Sequence, residues 1–397
     1  MTLESLGYSA AQNNIIRLIY KNPGITRKDL ANLSGISGRT ILKFVSDFIE
    51  KGIVTNSEKN KSTGGRNAER LMINPDFMYV LAVDIGSYST KIGLVNMNGD
   101  VIDCKFLIRK ENNKSADITP EELKDHLQKY IDKYKKERLL GIGIGITGLV
   151  SKAGKYIEFS PNIPKFNNID ITCEFENYLS LDVTLDTSAR CLALAEQRYG
   201  LGKGYDNQVY VSLGHSISAG IIVNGELFGG SNGIAGEIGH TKCANNGTRC
   251  SCGNYDCLEV YSTLPMIVSN VKRELKAFSG YSPILNLAGS VDNVTWEHIA
   301  RGAELKDRIA GEFINNAGER IGFALSHMIN SLNPEIIIFG GSVTELLPGV
   351  VDKAISCATE FSLISSVQNL KMVKSELGNK GAIMGCAVGV MNHYFGV

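Results

Sequence analysis

The chain has 397 residues, 43% apolar and 21% charged, and its 41 basic side chains balance 41 acidic ones. This is the composition of an ordinary soluble globular protein long enough for two or three domains with large cores. Nine cysteines, an odd number, fit a reducing compartment better than a disulfide framework. No apolar run reaches membrane-spanning length and the opening Met-Thr-Leu-Glu-Ser carries no basic-then-apolar leader, so a cytoplasmic location without a membrane partner is expected.

The zero net charge hides an asymmetry. Residues 1–74 hold eleven lysines or arginines against six acids, a surplus of five that the remainder of the chain cancels. Within that basic end, Ile15, Ile16, Leu18 and Ile19 predict a helix from Ser9 to Tyr20, broken by Asn22-Pro23-Gly24. Thr26 then stands as an N-cap with Asp29 in a capping-box position, opening a short helix that Gly35 ends. Ser37 caps a third helix, Gly38 to Lys51, whose apolar positions Ile41, Leu42, Val45, Phe48 and Ile49 follow the helical period. Helix, short helix, tight turn, helix is the helix-turn-helix order, with the third element as the candidate for the major groove. Ser37, Arg39, Thr40 and Lys43 on its first turns are suited to base or phosphate contacts. Two short strands, Ile53–Thr55 and Arg70–Ile73, flank a polar, basic, glycine-containing connection that forms a wing, with Lys61 and Arg66 able to reach the DNA backbone or minor groove. The bland alternative is a small helical dimerisation module; the order, caps, wing and charge together favour DNA.

Asn74-Pro75 marks a boundary, giving a winged helix-turn-helix domain over 1–74. Beyond it, Tyr79 to Gly86 predicts a buried strand ending in Asp84 and a glycine turn. Lys91–Asn96 and Val101–Leu107 continue as a meander through an Asn98-Gly99 hairpin. A helix from Pro120 to about Glu137 and the strand Leu140-Gly-Ile-Gly-Ile-Gly-Ile146 follow. No internal repeat is evident.

The most informative stretch is Gly-Glu-Ile-Gly-His240, a nine-residue gap, and Cys250-Ser-Cys252-Gly-Asn-Tyr-Asp-Cys257-Leu-Glu259. His240, Cys250, Cys252 and Cys257 form the ligand set of a closed structural zinc site. Glu237 and Glu259 flank that set, which suggests a scaffold aiming acceptors at a polyhydroxyl ligand. Cys104, Cys173, Cys191, Cys243, Cys357 and Cys386 read as buried thiols, Cys243 being able to compete for the metal. Trp296 reads as a packing residue.

The winged helix, Asp84-x-Gly86, Ser160-Pro-Asn162-Ile-Pro, the Gly-Glu-x-Gly-His and cysteine segments and Asn333-Pro-Glu-Ile-Ile-Ile-Phe-Gly340-Gly341 together resemble the ROK family of repressors and sugar kinases, in particular its xylose-repressor-like branch. The resemblance spans essentially the whole chain. It implies an α/β body of the two-lobed actin/hexokinase (ribonuclease H-like) type behind the DNA-binding head. The smaller lobe is expected over 75–185 plus about 380–397, and the larger lobe, with the zinc motif and an oligomerisation surface, over 186–379. It also implies that Asn162, Glu237, His240 and Glu259 hydrogen-bond sugar hydroxyls, with Gly148 near the pocket. His240 would bind zinc through one ring nitrogen and face a hydroxyl with the other.

Catalysis is expected to fail, leaving no catalytic residue. Where the family's kinases have Asn-Asp-x-Asn before an alanine-rich helix, this chain has Thr187-Ser188-Ala189-Arg190, so Ser188 stands in place of the base. A lone serine hydroxyl does not accept a sugar proton near neutral pH. Asp186, two residues upstream, lies roughly 6–7 Å away by strand rise. The family's glycine-rich phosphate turns read here Gly86-Ser87-Tyr88-Ser89 and Gly214-His215-Ser216-Ile217-Ser218, which argues against ATP as a ligand. The expected function is a sugar-responsive transcriptional regulator, a homodimer or tetramer binding operator DNA and a small sugar inducer. The alternatives are an active ATP-dependent kinase with an appended head, or a repressor answering to a sugar phosphate or a protein partner.

Overall fold

The computed structural model describes residues 3–56, 69–87, 89–108 and 118–397. At the N-terminal end lie α1 (Ala10–Lys21), β1 (Ile25–Thr26), α2 (Arg27–Ser34), α3 (Gly38–Glu50), β2 (Val54–Asn56) and β3 (Arg70–Ile73). Each helix starts at a side chain that satisfies its first amides. Ser9 and Thr26 form capping boxes with Gln12 and Asp29, and Ser37 accepts from the Thr40 amide. Gly35 ends α2 in the left-handed conformation. One strand is invisible to periodicity: β1 is only two residues long, and it pairs with β3 to make a three-stranded sheet of order β1-β3-β2. Leu42 departs from the expected packing and is 53% exposed, whereas Ile41, Val45 and Phe48 are buried. The wing residues Lys61 and Arg66 lie outside the described residues.

The body continues with β4 (Tyr79–Ile85), β5 (Ser89–Asn96), β6 (Val101–Ile108), α4 (Pro120–Tyr134), β7 (Leu139–Ile146), β8 (Leu149–Val150), β9 (Ile157–Phe159), α5 (Ile171–Leu179), β10 (Val183–Thr187) and α6 (Ser188–Tyr199). Next come β11 (Gln208–Leu213), β12 (Ile217–Val223), β13 (Glu226–Leu227), α7 (Glu259–Ser262), α8 (Leu264–Ala277), α9 (Pro283–Ala288), α10 (Trp296–Glu304) and α11 (Arg308–Leu332). The chain finishes with β14 (Ile336–Gly340), α12 (Ser342–Leu346), α13 (Pro348–Phe361), α14 (Ile364–Val367), β15 (Lys371–Lys374) and α15 (Gly381–Phe395). Trp296 opens α10 partly buried against the larger core, as its reading as a packing residue expects.

Two five-stranded sheets organise the body, in the orders β10-β7-β4-β5-β6 and β13-β12-β11-β14-β15. In each, a meander of three antiparallel strands is extended from its first strand by two parallel strands. The two sheets are thus one topology used twice, a structural repeat that the sequence does not display. β7 shows how sequence fixes the layering. Ile142, Ile144 and Ile146 point into the core of the first sheet. The alternating glycines face the other way, where a Cβ on Gly143 would sit 2.2 Å from the Cys386 carbonyl oxygen of α15. α15 and α6 touch as closely, since a Cβ on Gly385 would meet the Cys191 carbonyl oxygen at 1.8 Å.

The head is not a bead on a string. Its buried residues, from Leu3 to Ile73, belong to one hydrophobic cluster with Val80, Ala82, Cys191 and the α15 residues Ile383 to Phe395. Tyr20 of α1 stacks on Phe395 at 4.1 Å, with the Arg198 guanidinium 3.8 Å from the centre of its ring. The Tyr20 hydroxyl donates to Asn392 Oδ1 at 2.8 Å, and Arg17 Nε donates to the Phe395 carbonyl at 2.6 Å. Burial drives the Tyr20 phenol well above its usual ionisation range, so it stays a neutral donor. Tyr20→Ala is expected to lower unfolding stability by about 3–5 kcal/mol through the cavity it opens. Tyr20→Phe, losing one hydrogen bond, should cost about 1 kcal/mol; chemical denaturation of both variants checks the order.

Candidate functional site

A cleft opens at the C-terminal ends of β7 and β10 and the facing end of β11. It is lined by Thr147, Gly148, Leu149, Phe159, Pro161 and Asn162 on one side and by Ser212, Ser216, Ile217, Ser218, Glu237, His240 and Glu259 on the other, with Thr187, Ser188 and Ala189 between. All five residues expected at a sugar site, Asn162, Glu237, His240, Glu259 and Gly148, are therefore brought to one cavity.

Local sequence explains how they arrive there. Gly148 lies against the turn after β9, where a Cβ would come 2.8 Å from the Phe159 carbonyl oxygen. Ser160 Oγ donates to the Thr147 carbonyl at 2.6 Å, tying that turn to the end of β7 and presenting Asn162. In Gly-Glu-Ile-Gly-His240, both glycines press on β12. Gly236 has φ of +100°, and a Cβ there would lie 2.0 Å from the Ala219 carbonyl oxygen; at Gly239 it would lie 2.2 Å from that of Ile217. Ile238 is buried, which leaves Glu237 and His240 turned to the cleft. Glu259, the first residue of α7, accepts from the Ile217 amide at 2.9 Å through Oε1. Burial, and then the charge of Glu259, push the Glu237 carboxyl up to about 7. Two carboxyl groups lining one cavity, one of them poorly solvated, suit a ligand that brings its own donors.

Behind the cleft, one atom each of His240, Cys250, Cys252 and Cys257 falls within 4.8 Å of every other. The Cys252 and Cys257 sulfurs are 3.7 Å apart and Cys250 Sγ is 3.8 Å from His240 Nδ1. Tetrahedral zinc with Zn–S near 2.3 Å spaces sulfurs about 3.8 Å apart, so the donor set fits that ion. Burial first, and then its neighbouring thiols, push the Cys257 thiol up to about 12. The other histidine nitrogen, Nε2, is 4.0 Å from Glu237 Oε2 on the cleft side. Asp256 braces the ligand loop: its carboxylate accepts from the Gly247 and Thr248 amides and from the Tyr261 hydroxyl at 2.6 Å. Cys243 lies outside the cluster of four. Cys173 is exposed rather than buried, and Cys104 and Cys243 are only partly covered, against the sequence expectation.

Ser188 opens α6 and lines the cleft, its hydroxyl donating to Asp84 Oδ1 at 2.7 Å. Lys91 Nζ lies 3.6 Å from Asp84 Oδ2. Asp186 does not line the cleft; its Oδ1 accepts from the Thr187 amide at 2.7 Å and lies 3.2 Å from Arg190 Nε. The turn amides of Gly86 and Gly214 donate within their own turns, to the Ser89 and Ser216 carbonyls; Tyr88 lies outside the described residues. On the head, Ser37, Arg39 and Lys43 are exposed at the start of α3, with Thr40 partly covered and its hydroxyl bonded to that of Ser37 at 2.9 Å. Leu42 and Ser46 share the exposed face. The exposure of Leu42 is not anticipated from sequence, because an apolar residue at helical spacing reads as core.

A winged helix seated on a two-lobed body with a polar cleft defines a class that joins DNA binding to ligand binding. Residues 80–392 match the model of the ROK family and residues 10–55 that of a winged helix-turn-helix DNA-binding domain. The chain belongs to the ROK family. It is 28% identical over 380 residues to the xylose repressor of Caldicellulosiruptor bescii, covering 95% of this chain and 94% of that protein. It is 29% identical over 375 residues to the DNA-binding transcriptional dual regulator NagC of Escherichia coli, covering 93% and 89%. Among solved structures, a ROK family transcriptional regulator described as a homologue of the E. coli MLC protein superposes with a TM-score of 0.80 at 26% identity, covering 97% of both chains. The ROK family glucokinase of Streptomyces griseus, in complex with glucose and AMPPNP, superposes with a TM-score of 0.66 at 25% identity, covering 78% of this chain and 98% of that one.

The close approach of Gly239 to β12 generates a direct expectation. Gly239→Ala should cost about 1–3 kcal/mol because the added methyl meets backbone. Gly247→Ala, at φ +72° with nothing within 4 Å of the added atom, should cost about 1 kcal/mol, from its backbone conformation alone. Thermal melts of the two proteins separate these costs.

Proposed function

We propose that this protein is a sugar-responsive transcriptional repressor of carbohydrate-metabolism genes whose kinase-like body binds sugar without phosphorylating it. The observation that carries the reading is the course of α6. It begins at Ser188 in the cleft and, near its C-terminal end, stacks Arg198 on Tyr20 of the head. One rigid element thus touches both the ligand site and the DNA-binding domain, and that domain packs on α15 and the first sheet. A sugar relieves repression only by binding better to the arrangement that fits DNA worse.

In this reading residues 1–74 form the DNA-binding domain, 75–185 with about 380–397 the smaller lobe, and 186–379 the larger lobe. Asn162, Glu237, His240 and Glu259 hold the sugar's hydroxyls, with Gly148 letting the chain pass close by. His240, Cys250, Cys252 and Cys257 hold a structural zinc whose His240 ligand presents Nε2 to the sugar, so the metal stiffens the binding wall. Ser37, Arg39, Thr40 and Lys43, with Lys61 and Arg66 of the wing, contact the operator. Two heads on one homodimer would read a symmetric site, and the exposed strip of Phe323, Phe361, Leu363 and Ile364 supplies an apolar surface for such pairing. Reduced thiols at the metal site suit a cytoplasmic setting. Phosphate transfer lacks support: Ser188 replaces the base, Asp186 is turned to Arg190, and the Gly86 and Gly214 amides are used within their own turns.

Three measurements test the reading. Arg39→Ala or Lys43→Ala should weaken operator binding and reduce the salt slope by about one for each phosphate the side chain neutralises, with calorimetric sugar binding unchanged; equal loss of both functions would contradict the division of labour. Purified protein should carry about one zinc per chain by elemental analysis, and Cys252→Ser should abolish it and lower the thermal midpoint. Incubation with ATP and D-xylose, D-glucose or N-acetyl-D-glucosamine should yield no phosphorylated sugar, while a product lost in Asp186→Asn would establish the kinase alternative.

A further inference from the structure

Ser188 stands where a kinase would hold its base, yet its bond to Asp84 fixes what else it can do. Asp84 is 7% exposed, and its second oxygen forms an ion pair with the Lys91 ammonium. A serine hydroxyl has one proton to donate, and that of Ser188 is committed to Asp84 Oδ1 at 2.7 Å. Ser188 nonetheless lines the cleft with Glu237, His240 and Glu259. Toward the cavity it therefore has lone pairs to offer and no proton.

We infer that Ser188 is a specificity-determining residue that accepts a hydrogen bond from one hydroxyl of a neutral aldose, its polarity set by the Lys91–Asp84–Ser188 chain. The inference rests on the reading of the cleft as a sugar site and narrows it. A hydroxyl at this position donates to Ser188 without losing its proton, so recognition survives where proton abstraction does not. A phosphoryl group there would set acceptor oxygens against an acceptor, with the carboxylates of Glu237 and Glu259 in the same cavity. The inducer is then a sugar free of phosphate at the Ser188 position, and an analogue that cannot donate there is rejected because a cleft acceptor loses its partner. Asp84 acts through Ser188 and is a positioning residue.

The test uses the full chain and calorimetry with D-xylose, D-glucose and N-acetyl-D-glucosamine, together with the monodeoxy and deoxyfluoro analogues of whichever binds and its phosphate ester at the position so identified. Fluorine accepts weakly but cannot donate. At one ring position, wild type should bind the deoxy and deoxyfluoro analogues equally poorly, about 5- to 10-fold below the parent, and the phosphate ester more weakly still. Ser188→Ala should bind parent, deoxy and deoxyfluoro sugars alike at that position, while Ser188→Thr, keeping the hydroxyl, should restore the discrimination. If Ser188→Ala preserves every parent-to-deoxy ratio of wild type, or if the phosphate ester binds more tightly than the parent, the assignment of Ser188 is overturned while the sugar site stands. If wild type binds none of the three aldoses, the sugar reading itself falls.

Discussion

Two helices, α6 and α15, run against each other and against the first sheet at separations that leave no room for a Cβ. Gly143 faces the Cys386 carbonyl, Gly385 faces the Cys191 carbonyl, and Gly220 of β12 faces the Ala189 carbonyl. Because interiors are close-packed and transmit displacement rather than absorb it, these backbone contacts set where everything else lies. α6 reaches the second sheet through Gly220, so its first turn is held between the two sheets and Ser188 is carried to the cleft. α15 supplies the floor on which α1 rests. Ligand site and DNA-binding head are consequently positioned by the same pair of elements.

The cleft shows the same economy at the level of charge. Glu259 is oriented by the Ile217 amide, and Asp84, behind Ser188, by Lys91 and the Ser188 hydroxyl. Each carboxylate thus has a defined orientation before a ligand arrives, which limits the reorganisation that binding requires. Glu237 differs, with a carboxyl pushed up by burial and by Glu259. It lines the cleft beside His240, with Oε2 4.0 Å from that ring's Nε2.

Much of this was legible in the chain because the responsible signals are local. Capping residues Thr26 and Ser37 declared the head helices, and the isoleucine-rich run of β7 declared a strand. The cysteine spacing declared a cluster, since ligands a few residues apart cannot separate far. What the chain did not disclose is long-range. The exposure of Leu42 depends on which neighbours cover α3, and periodicity counts an apolar residue as core whatever faces it. The two-residue β1 exists only because β3 pairs with it. The repeated sheet topology leaves no sequence trace because many apolar strands satisfy the same backbone pairing. The rotation of Asp186 toward Arg190 depends on the helix that follows it, whereas strand rise alone gave only its distance.

The seat of the head on α15 has a bearing on how the molecule comes to exist. Tyr20 and Asn392 meet across 372 positions of chain, and Arg17 and Phe395 across 378. During synthesis the underside of α1 therefore waits, its apolar side chains uncovered, until nearly the whole body has been made. A polypeptide released early would lack the α15 residues that cover that face. The head therefore reaches its finished form only together with the C-terminal helix on which it rests.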